Sequence, residues 1–307
     1  MQGPLEARYL AYLETLAQLR PSLHRYCSRM VGSVLDGEDV VQEALLLAYR
    51  KLDTADNSRP LGPWLFRIAH NCCIDFLRHR EVRMKAEAAS VQSDQIEPTQ
   101  THGLILGRAV EYLVLSLPPK ERACVLLKDV FEYSLEEIAD LLGATVGSVK
   151  SALNRGRSKL AAIPVSGAMP LVKNADRGPL LHLYVKRFND RDWDGLRDVI
   201  LADARVNIVD RFTGRLLDSP YFGRYETSPI EWRMAVGEVD GELVVIMSQR
   251  TLDGWSPKSA IRIAIRDDRI IAVVDYLFCP WLIADAQSVI VLDPPGFSPV
   301  GYETEGR

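Results

Sequence analysis

This chain of 307 residues lacks several features that mark other protein classes. Its 5 cysteines form no CxxC pair and have no nearby histidine cluster, which argues against a zinc site and against a disulfide framework. It contains no run of about 18 apolar residues, and its first residues lack a charged segment followed by an apolar one. We therefore expect a cytoplasmic protein with no membrane contact, no metal and no cofactor.

The chain also lacks an overall excess of basic residues. Lys and Arg number 37 against 41 Asp and Glu, so the net charge is −4. Basic charge is nevertheless concentrated in residues 67–85, which contain Arg67, Arg78, Arg80, Arg83 and Lys85 against Asp75 and Glu81. Local patches rather than net charge decide whether a protein contacts phosphates.

A helix-turn-helix pattern is present in residues 134–160, SLEEIADLLGATVGSVKSALNRGRSKL. Ser134 and Glu137 have capping-box spacing, Gly143 is a suitable left-handed helix end, and Thr145 can cap a second helix. The outer face of that second helix is predicted to carry Ser148, Lys150, Ser151, Asn154, Arg155, Arg157 and Lys159. Two helices with a short turn and a donor-rich second helix fit the major groove of DNA.

The rest of the chain divides into helical and β-rich parts. Residues 1–85 predict helices, with a break at Pro21, a helix over 36–52, a loop over 53–63 and a further helix over 62–80. Residues 86–103 are mostly small and polar, which is typical of a linker, and residues 164–175, which begin within IPVSGAMP, are expected to be a second linker. The two enclose a second helical block at 104–163. We expect a multidomain protein with two all-α domains followed by an α+β domain.

That α+β domain is predicted over residues 176–283. Residues 178–200 have helical spacing, and three β-like runs follow, ARVNIVD, GELVVIMSQR and SAIRIAIRDDRIIAVVDYLF. Asp267 and Asp268 are expected to form a hairpin turn, and residues 284–307 an irregular tail.

With these residues in view, the first half resembles the extracytoplasmic-function sigma factors of the sigma-70 family. DGEDVVQEALLLAYRKL resembles region 2.2, GPWLFRIAHNCCIDFLRHR resembles regions 2.3 and 2.4, and residues 117–160 resemble region 4. The resemblance implies a subunit that binds core RNA polymerase, on the clamp of its largest subunit and at its flap, and that directs promoter recognition, DNA opening and transcription initiation. It implies no catalytic residue.

The resemblance also assigns residues to each contact. Asp39, Gln42 and Glu43 match the clamp-binding positions, although spacing alone favours a solvated helix face. Trp64, Arg67, Asn71, Arg78 and Arg80 match the segment that reads the −10 element as single-stranded DNA. Within it Asn71 faces a base and the arginines suit phosphates, whereas Trp64 is equally expected in the core. His70 is expected at the surface and Phe66 in the core.

In region 4, the implied reader of the duplex −35 element is the second helix. Ser148, Lys150, Ser151, Asn154 and Arg155 are the expected base-reading positions, with Arg157 and Lys159 on the phosphate backbone. The chain departs from the family at two places in this helix. Ala152 stands where a basic residue is common, and Gly156 where alanine is common, at a cost of about 1 kcal/mol of helix stability.

The last third resembles, more weakly, the SnoaL-like branch of the NTF2-like superfamily, which implies a curved sheet wrapped by helices around a conical pocket. Asp210, His182 and Asp275 are the catalytic candidates, each expected more often at the surface or in a loop. The domain is expected to regulate the DNA-binding regions, and a small-molecule ligand or protein partner for it is left open. Two alternatives remain: a stand-alone DNA-binding regulator, and an NTF2-like enzyme or ligand sensor fused to a DNA-binding segment.

Overall fold

The computed structural model describes residues 4–54, 60–90, 115–162 and 178–292. The chain divides into two compact units, residues 1–170 and 171–307, which are taken in turn below. In these described ranges, no helix combines the length and the apolar character that a membrane crossing requires.

The first unit begins with three helices. These are α1 (Pro4–Val31), α2 (Val34–Lys51), which ends in a 3-10 turn at Leu52–Thr54, and α3 (Leu61–Ser90). The expected break at Pro21 is wrong, because α1 runs through it. A proline inside a helix removes one backbone hydrogen bond. Here the residues after it, including Tyr26 and Met30, are fully buried and hold α1 in the core.

Helices α1 and α2 approach each other closely at one glycine. A methyl group built on Gly37 would lie 2.6 Å from the backbone nitrogen of Ser28, so no larger residue fits there without movement. Helix α3 begins as expected, with Pro63 in its first turn. It continues through residues 86–90, which were expected to be linker; the remainder of that linker lies outside the described residues.

The second helical block contains α4, α5 and α6. Helix α4 (Pro119–Val125) continues into a π-helical turn (Leu126–Val130), and α5 (Leu135–Leu142) and α6 (Val146–Ala162) follow. Buried residues of both blocks, among them Phe66, Cys73 and Cys124, form a single hydrophobic core. Cys72 and Cys73 are buried as expected.

The second unit contains helices packed on one twisted sheet. Its elements are α7 (Gly178–Asn189), α8 (Trp193–Val199), β1 (Ile200–Ile208), β2 (Phe212–Arg215), α9 (Tyr221–Glu226), β3 (Trp232–Val239), β4 (Glu242–Thr251), β5 (Gly254–Arg266), β6 (Arg269–Asp275), α10 (Pro280–Asp285) and β7 (Val289–Leu292). The sheet order is β2-β1-β6-β5-β4-β3-β7, and only the β1–β6 pair is parallel. The expected helix-plus-sheet domain is confirmed, with the sheet open.

Two hairpin turns explain how the long antiparallel strands pair. Asp267 and Asp268 have φ of 50° and 55°, the left-handed geometry that a two-residue turn requires, so the expected hairpin is confirmed. Asp240 and Gly241 form the corresponding turn between β3 and β4, with φ of 51° and 82°. The expectation of an irregular tail is wrong for residues 289–292, because β7 pairs with β3. Residues 293–307 lie outside the described part.

Aromatic side chains fill the interior of this second unit. The Phe188 ring has six aromatic neighbours whose centroids lie 5.1 to 6.0 Å away: Tyr184, Trp193, Tyr221, Phe222, Tyr225 and Trp232. Phe188 itself is completely buried. Rings at these separations interlock as edge-to-face and tilted pairs, which makes a tightly packed core.

Candidate nucleic-acid interface

The local sequence of the helix-turn-helix determines its geometry. The Ser134 side chain accepts from the Glu137 amide at 3.1 Å, and Glu137 accepts from the Ser134 amide at 2.7 Å, so the predicted capping box is confirmed. Gly143 ends α5 in the left-handed conformation with φ of 61°. Thr145 Oγ1 then accepts from the Ser148 amide at 3.2 Å at the start of α6. The first helix therefore begins and ends, and the second begins, where the sequence predicts.

The two departures from the family pattern lie on the buried side of α6. Ala152 is fully buried, so a basic residue there would place a charge in the core. A methyl group built on Gly156 would lie 2.9 Å from Val125 Cγ2. The glycine thus allows α4 and α6 to pack closely, a benefit that helix propensity does not reveal.

The outer side of α6 exposes most of the residues assigned to −35 reading. Lys150, Ser151 and Asn154 are exposed, and within the described residues Lys150 forms no ion pair. Ser148 is partly buried and accepts a hydrogen bond from Lys120 Nζ at 2.9 Å. Lys120 was missed by the sequence analysis; its place beside the first turn of α6 depends on packing between α4 and α6.

Three basic side chains of α6 are held by acids on neighbouring elements. Arg155 and Lys159 contact the carboxylate of Glu121 at 2.9 and 2.7 Å, and Arg157 forms a two-point ion pair with Asp129. The ammonium of Lys159 and the guanidinium of Arg155 lower the pKa of Glu121. These pairs join the C-terminal half of α6 to α4 and to the π-helical turn.

Helix α3 carries the residues assigned to −10 reading. Arg67, Asn71 and Arg78 are exposed, and Trp64 is partly buried against the core. Arg78 pairs with Asp75 at 3.2 Å on the helix surface. Arg80 donates to the carbonyl of Val31 at 2.9 Å, so in this arrangement it caps the end of α1.

Two further residues of α3, Phe66 and His70, lie against the core rather than on its exposed side. Phe66 is fully buried as expected. The expectation of a surface position for His70 is wrong, because its Nδ1 lies 2.8 Å from the Tyr26 hydroxyl and its ring lines a cavity shared with the helix-turn-helix. Burial lowers the pKa of His70 to about 4.

Helix α2 presents the three residues assigned to polymerase binding. Ser33 caps this helix by accepting from the Asp36 amide at 3.1 Å. Asp39 and Gln42 are partly exposed and Glu43 is exposed, and their spacing places them on one side of the helix. The structure thus brings the three together as a polar face.

In the second unit, the three catalytic candidates do not converge on a cleft. Asp210 and His182 are exposed, Asp210 in a turn. Asp275 is buried, contrary to expectation, and accepts from Tyr225 Oη, Ser259 Oγ and the Leu277 amide at 2.5, 3.2 and 2.9 Å. Burial raises the pKa of Asp275 to about 6 despite these donors.

The first unit is thus a two-block helical protein whose second block ends in a capped helix-turn-helix with an exposed polar side. The Sigma-70 region 2 family model matches residues 16–83, and the Sigma-70, region 4 family model matches residues 107–160. The ECF RNA polymerase sigma factor SigW of Bacillus subtilis is 33% identical over 162 residues, which cover 49% of this chain and 87% of SigW. The chain therefore belongs to the extracytoplasmic-function (ECF) sigma factors, which direct transcription initiation by core RNA polymerase at promoter DNA.

Other relatives extend further or cover different parts. SigG of Mycobacterium tuberculosis is 29% identical over 217 residues, and the match spans 58% of its length. The complex of the sigma factor RpoE with the anti-sigma factor NepR from Bartonella quintana covers 48% of this chain at 25% identity, with a TM-score of 0.41. The M. tuberculosis ECF sigma factor SigJ covers 86% of this chain at 19% identity, with a TM-score of 0.33.

Proposed function

We propose that three helices of the first unit make the three contacts of a sigma factor: α3 with the −10 element, α6 with the −35 element and α2 with polymerase. Helix α3 reads the −10 element as single strand, with Asn71 at a base, Trp64 beside the strand and Arg67, Arg78 and Arg80 at phosphates. Helix α6 reads the duplex −35 element through its exposed polar side. Residues 1–85 thus form the polymerase- and −10-binding domain and residues 104–163 the −35-binding domain.

The observation that carries this proposal is the pair of separate polar surfaces on α3 and α6. An exposed amide such as Asn71 can hydrogen-bond a base edge, and exposed arginines on the same helix can neutralise phosphates. Lys150, Ser151 and Asn154 offer both donors and acceptors on the helix that follows a capped turn. A stand-alone regulator would need only the second of these surfaces.

The polar face of α2 is the proposed contact with polymerase. Asp39, Gln42 and Glu43 present two carboxylates and an amide, which suit a basic, hydrogen-bonding partner surface. We assign the clamp of the largest polymerase subunit as the partner of this face of α2. The flap is assigned as the partner of the second helical block. The site of action is the cytoplasm.

Within the second unit, residues 176–283 are proposed as a non-catalytic regulatory domain. Catalysis requires a titratable group that a substrate can reach. The buried Asp275 accepts hydrogen bonds from three donors of its own domain, and aromatic rings pack around the buried Phe188 in the interior. These contacts favour a structural role for the cluster over an isomerase or hydrolase site.

Run-off transcription tests the proposal directly. Core polymerase with the full chain should initiate at promoters that core alone ignores, whereas proven binding to core without initiation at any genomic promoter would contradict it. Comparison with residues 1–165 in the same reaction measures what the second unit adds. We expect removal of the second unit to change the amount of transcript without changing which promoter sequences are used.

Two variants with opposite expected effects distinguish the DNA-reading role of α3 from the polymerase-binding role of α2. Asn71→Ala should weaken promoter opening, followed by permanganate reactivity of unpaired thymines, while leaving binding to core intact. Gln42→Ala should weaken binding to core and leave opening by saturated holoenzyme intact. Equal loss of both activities in Asn71→Ala would mean that this residue supports the fold rather than reading a base.

A further inference from the structure

The basic residues of α6 differ in what surrounds them. Towards the C-terminal end of the helix, Arg155 and Lys159 contact the carboxylate of Glu121 at 2.9 and 2.7 Å. Arg157 forms a two-point ion pair with Asp129. Three positive and two negative charges leave a single net positive charge in this cluster, so it attracts a polyanion such as DNA less than its three cations suggest.

Moving these cations onto DNA phosphates would also leave the acids without partners. Glu121 is only 6% exposed, and a carboxylate that is buried without its cations destabilises the fold. Lys159 and Arg155 lower the pKa of Glu121, which keeps this carboxylate ionised and attractive to both side chains. The cations at the C-terminal end of α6 are therefore engaged within the second block.

Basic groups without acidic partners lie instead beside the start of α6. Lys120 of α4 and Lys150 of α6 are both exposed, and neither forms an ion pair with any residue in the described ranges. Lys120 Nζ donates a hydrogen bond to Ser148 Oγ at 2.9 Å. This contact holds an ammonium group from α4 against the first turn of α6.

The contact between Lys120 and Ser148 leaves hydrogen-bond donors for an anion. An ammonium group has three N–H donors, and Ser148 accepts only one of them. Because the Ser148 oxygen is the acceptor here, its own hydroxyl proton can be donated to a further group. Two N–H donors and one O–H donor thus lie side by side, a set that suits the unesterified oxygens of a DNA phosphate.

The position of Lys120 favours a phosphate over a base. In a helix-turn-helix protein the second helix enters the major groove by its N-terminal residues, and the helices that flank it face the DNA backbone. Lys120 belongs to such a flanking helix, and its flexible point charge suits a phosphate more than a base edge. Nothing lies within 4 Å of a methyl group built on Gly147, so the DNA backbone can approach the first turn of α6 closely.

We propose that Lys120 and Ser148 together bind a phosphate of the −35 duplex and supply the backbone contact that positions α6, in place of Arg157 and Lys159. The inference rests on the proposed assignment of α6 to the −35 element. Lys120 contributes charge and Ser148 contributes direction, and neither selects a base. The base-reading positions of α6 then begin at Lys150 rather than at Ser148.

The salt dependence of DNA binding tests this assignment. The protein is the holoenzyme that contains the full chain, and the probe is a duplex from a promoter used in run-off transcription, cut so that it keeps the −35 element and lacks the −10 element. Loss of one phosphate contact lowers the slope of log affinity against log salt concentration by about 0.9. The affinity deficit of Lys120→Gln relative to the parent should therefore shrink about threefold between about 50 and 200 mM salt.

Three further variants decide the outcome. Lys120→Arg should recover the slope, whereas Lys159→Gln removes a cation held by Glu121 and should change the slope far less. Ser148→Ala should weaken binding equally for every −35 sequence tested. An unchanged slope in Lys120→Gln, a larger change in Lys159→Gln, or an altered base preference in Ser148→Ala overturns the inference alone. A parent holoenzyme that binds the probe no better than a duplex with a scrambled −35 element overturns the proposed function of α6 as well.

Discussion

Gly156→Ala offers a sharp test of the packing between α4 and α6. Helix propensity alone predicts that alanine stabilises α6 by about 1 kcal/mol. The structure predicts the opposite sign, because the added methyl group would lie 2.9 Å from Val125 Cγ2 and 3.5 Å from the Glu121 carbonyl oxygen. Val125 is 4% exposed and β-branched, so its methyl group has little freedom to move aside.

The magnitude follows from two opposing contributions. Overpacking a well-filled core costs about 1 to 3 kcal/mol. Subtracting the gain in helix propensity leaves a net destabilisation of about 1 kcal/mol. Gly147 is a matched control in the same helix, since nothing lies within 4 Å of a methyl group built there. Gly147→Ala should therefore be neutral or stabilise the helix by a few tenths of a kcal/mol up to about 1 kcal/mol.

Amide hydrogen exchange of α4 and α6 in the full chain is the suitable assay, because it reports the local free energy of opening in a chain with two units. Protection in both helices should fall about fivefold for Gly156→Ala and hold or rise for Gly147→Ala. Equal or greater protection in Gly156→Ala than in the parent would refute the argument from close packing. Helix propensity alone would then explain the effect of alanine at position 156.

Two further predictions concern groups whose pKa is shifted by burial. Burial lowers the pKa of His70 to about 4, so the first unit should lose up to about 2 kcal/mol of stability as the pH falls from 7 to 5, and His70→Asn should reduce this dependence in urea unfolding. The pKa of Asp275 is raised to about 6, so the second unit should lose up to about 3 kcal/mol of stability as the pH rises from 4 to above 6, and Asp275→Asn should abolish this dependence in urea unfolding.

Exposed neighbours of the same chemical type serve as controls for these two changes. His79→Asn lies on α3 at an exposed position and should leave the pH dependence of unfolding unaltered. Asp268→Asn sits in a turn with φ of 55°, which asparagine tolerates, and should leave the pH dependence of unfolding unaltered. A pH dependence of unfolding that survives His70→Asn in the first unit, or Asp275→Asn in the second, would assign the effect to other groups.

Short-range features were predictable from the sequence because they depend on neighbouring residues alone. The capping box at Ser134, the left-handed Gly143 and the hairpin at Asp267–Asp268 are each determined within four residues, and each is confirmed. The helical start at Pro119 follows from the same kind of information.

Features that depend on distant residues were missed for a physical reason. Strand β7 is short, and only its pairing with β3 makes it a strand. Pro21 predicts a break, yet tertiary packing of the following turns keeps α1 intact. His70 looks like a surface residue until the helix-turn-helix is placed over it, and that placement involves residues about 70 positions later in the chain.

The same distinction changes how the departures from the family pattern are interpreted. In the sequence, Ala152 and Gly156 stand in the DNA-reading helix, which suggests an altered −35 preference. In the structure both residues are buried, Gly156 against Val125 and Glu121 of α4, so both lie away from the exposed side of α6. We therefore expect their effect to pass through the packing of α6 in the second block, to which the Glu121 pairs with Arg155 and Lys159 also contribute. We expect promoter choice to follow the exposed polar face of α6, and these two positions to alter the strength of binding without altering the sequence preferred.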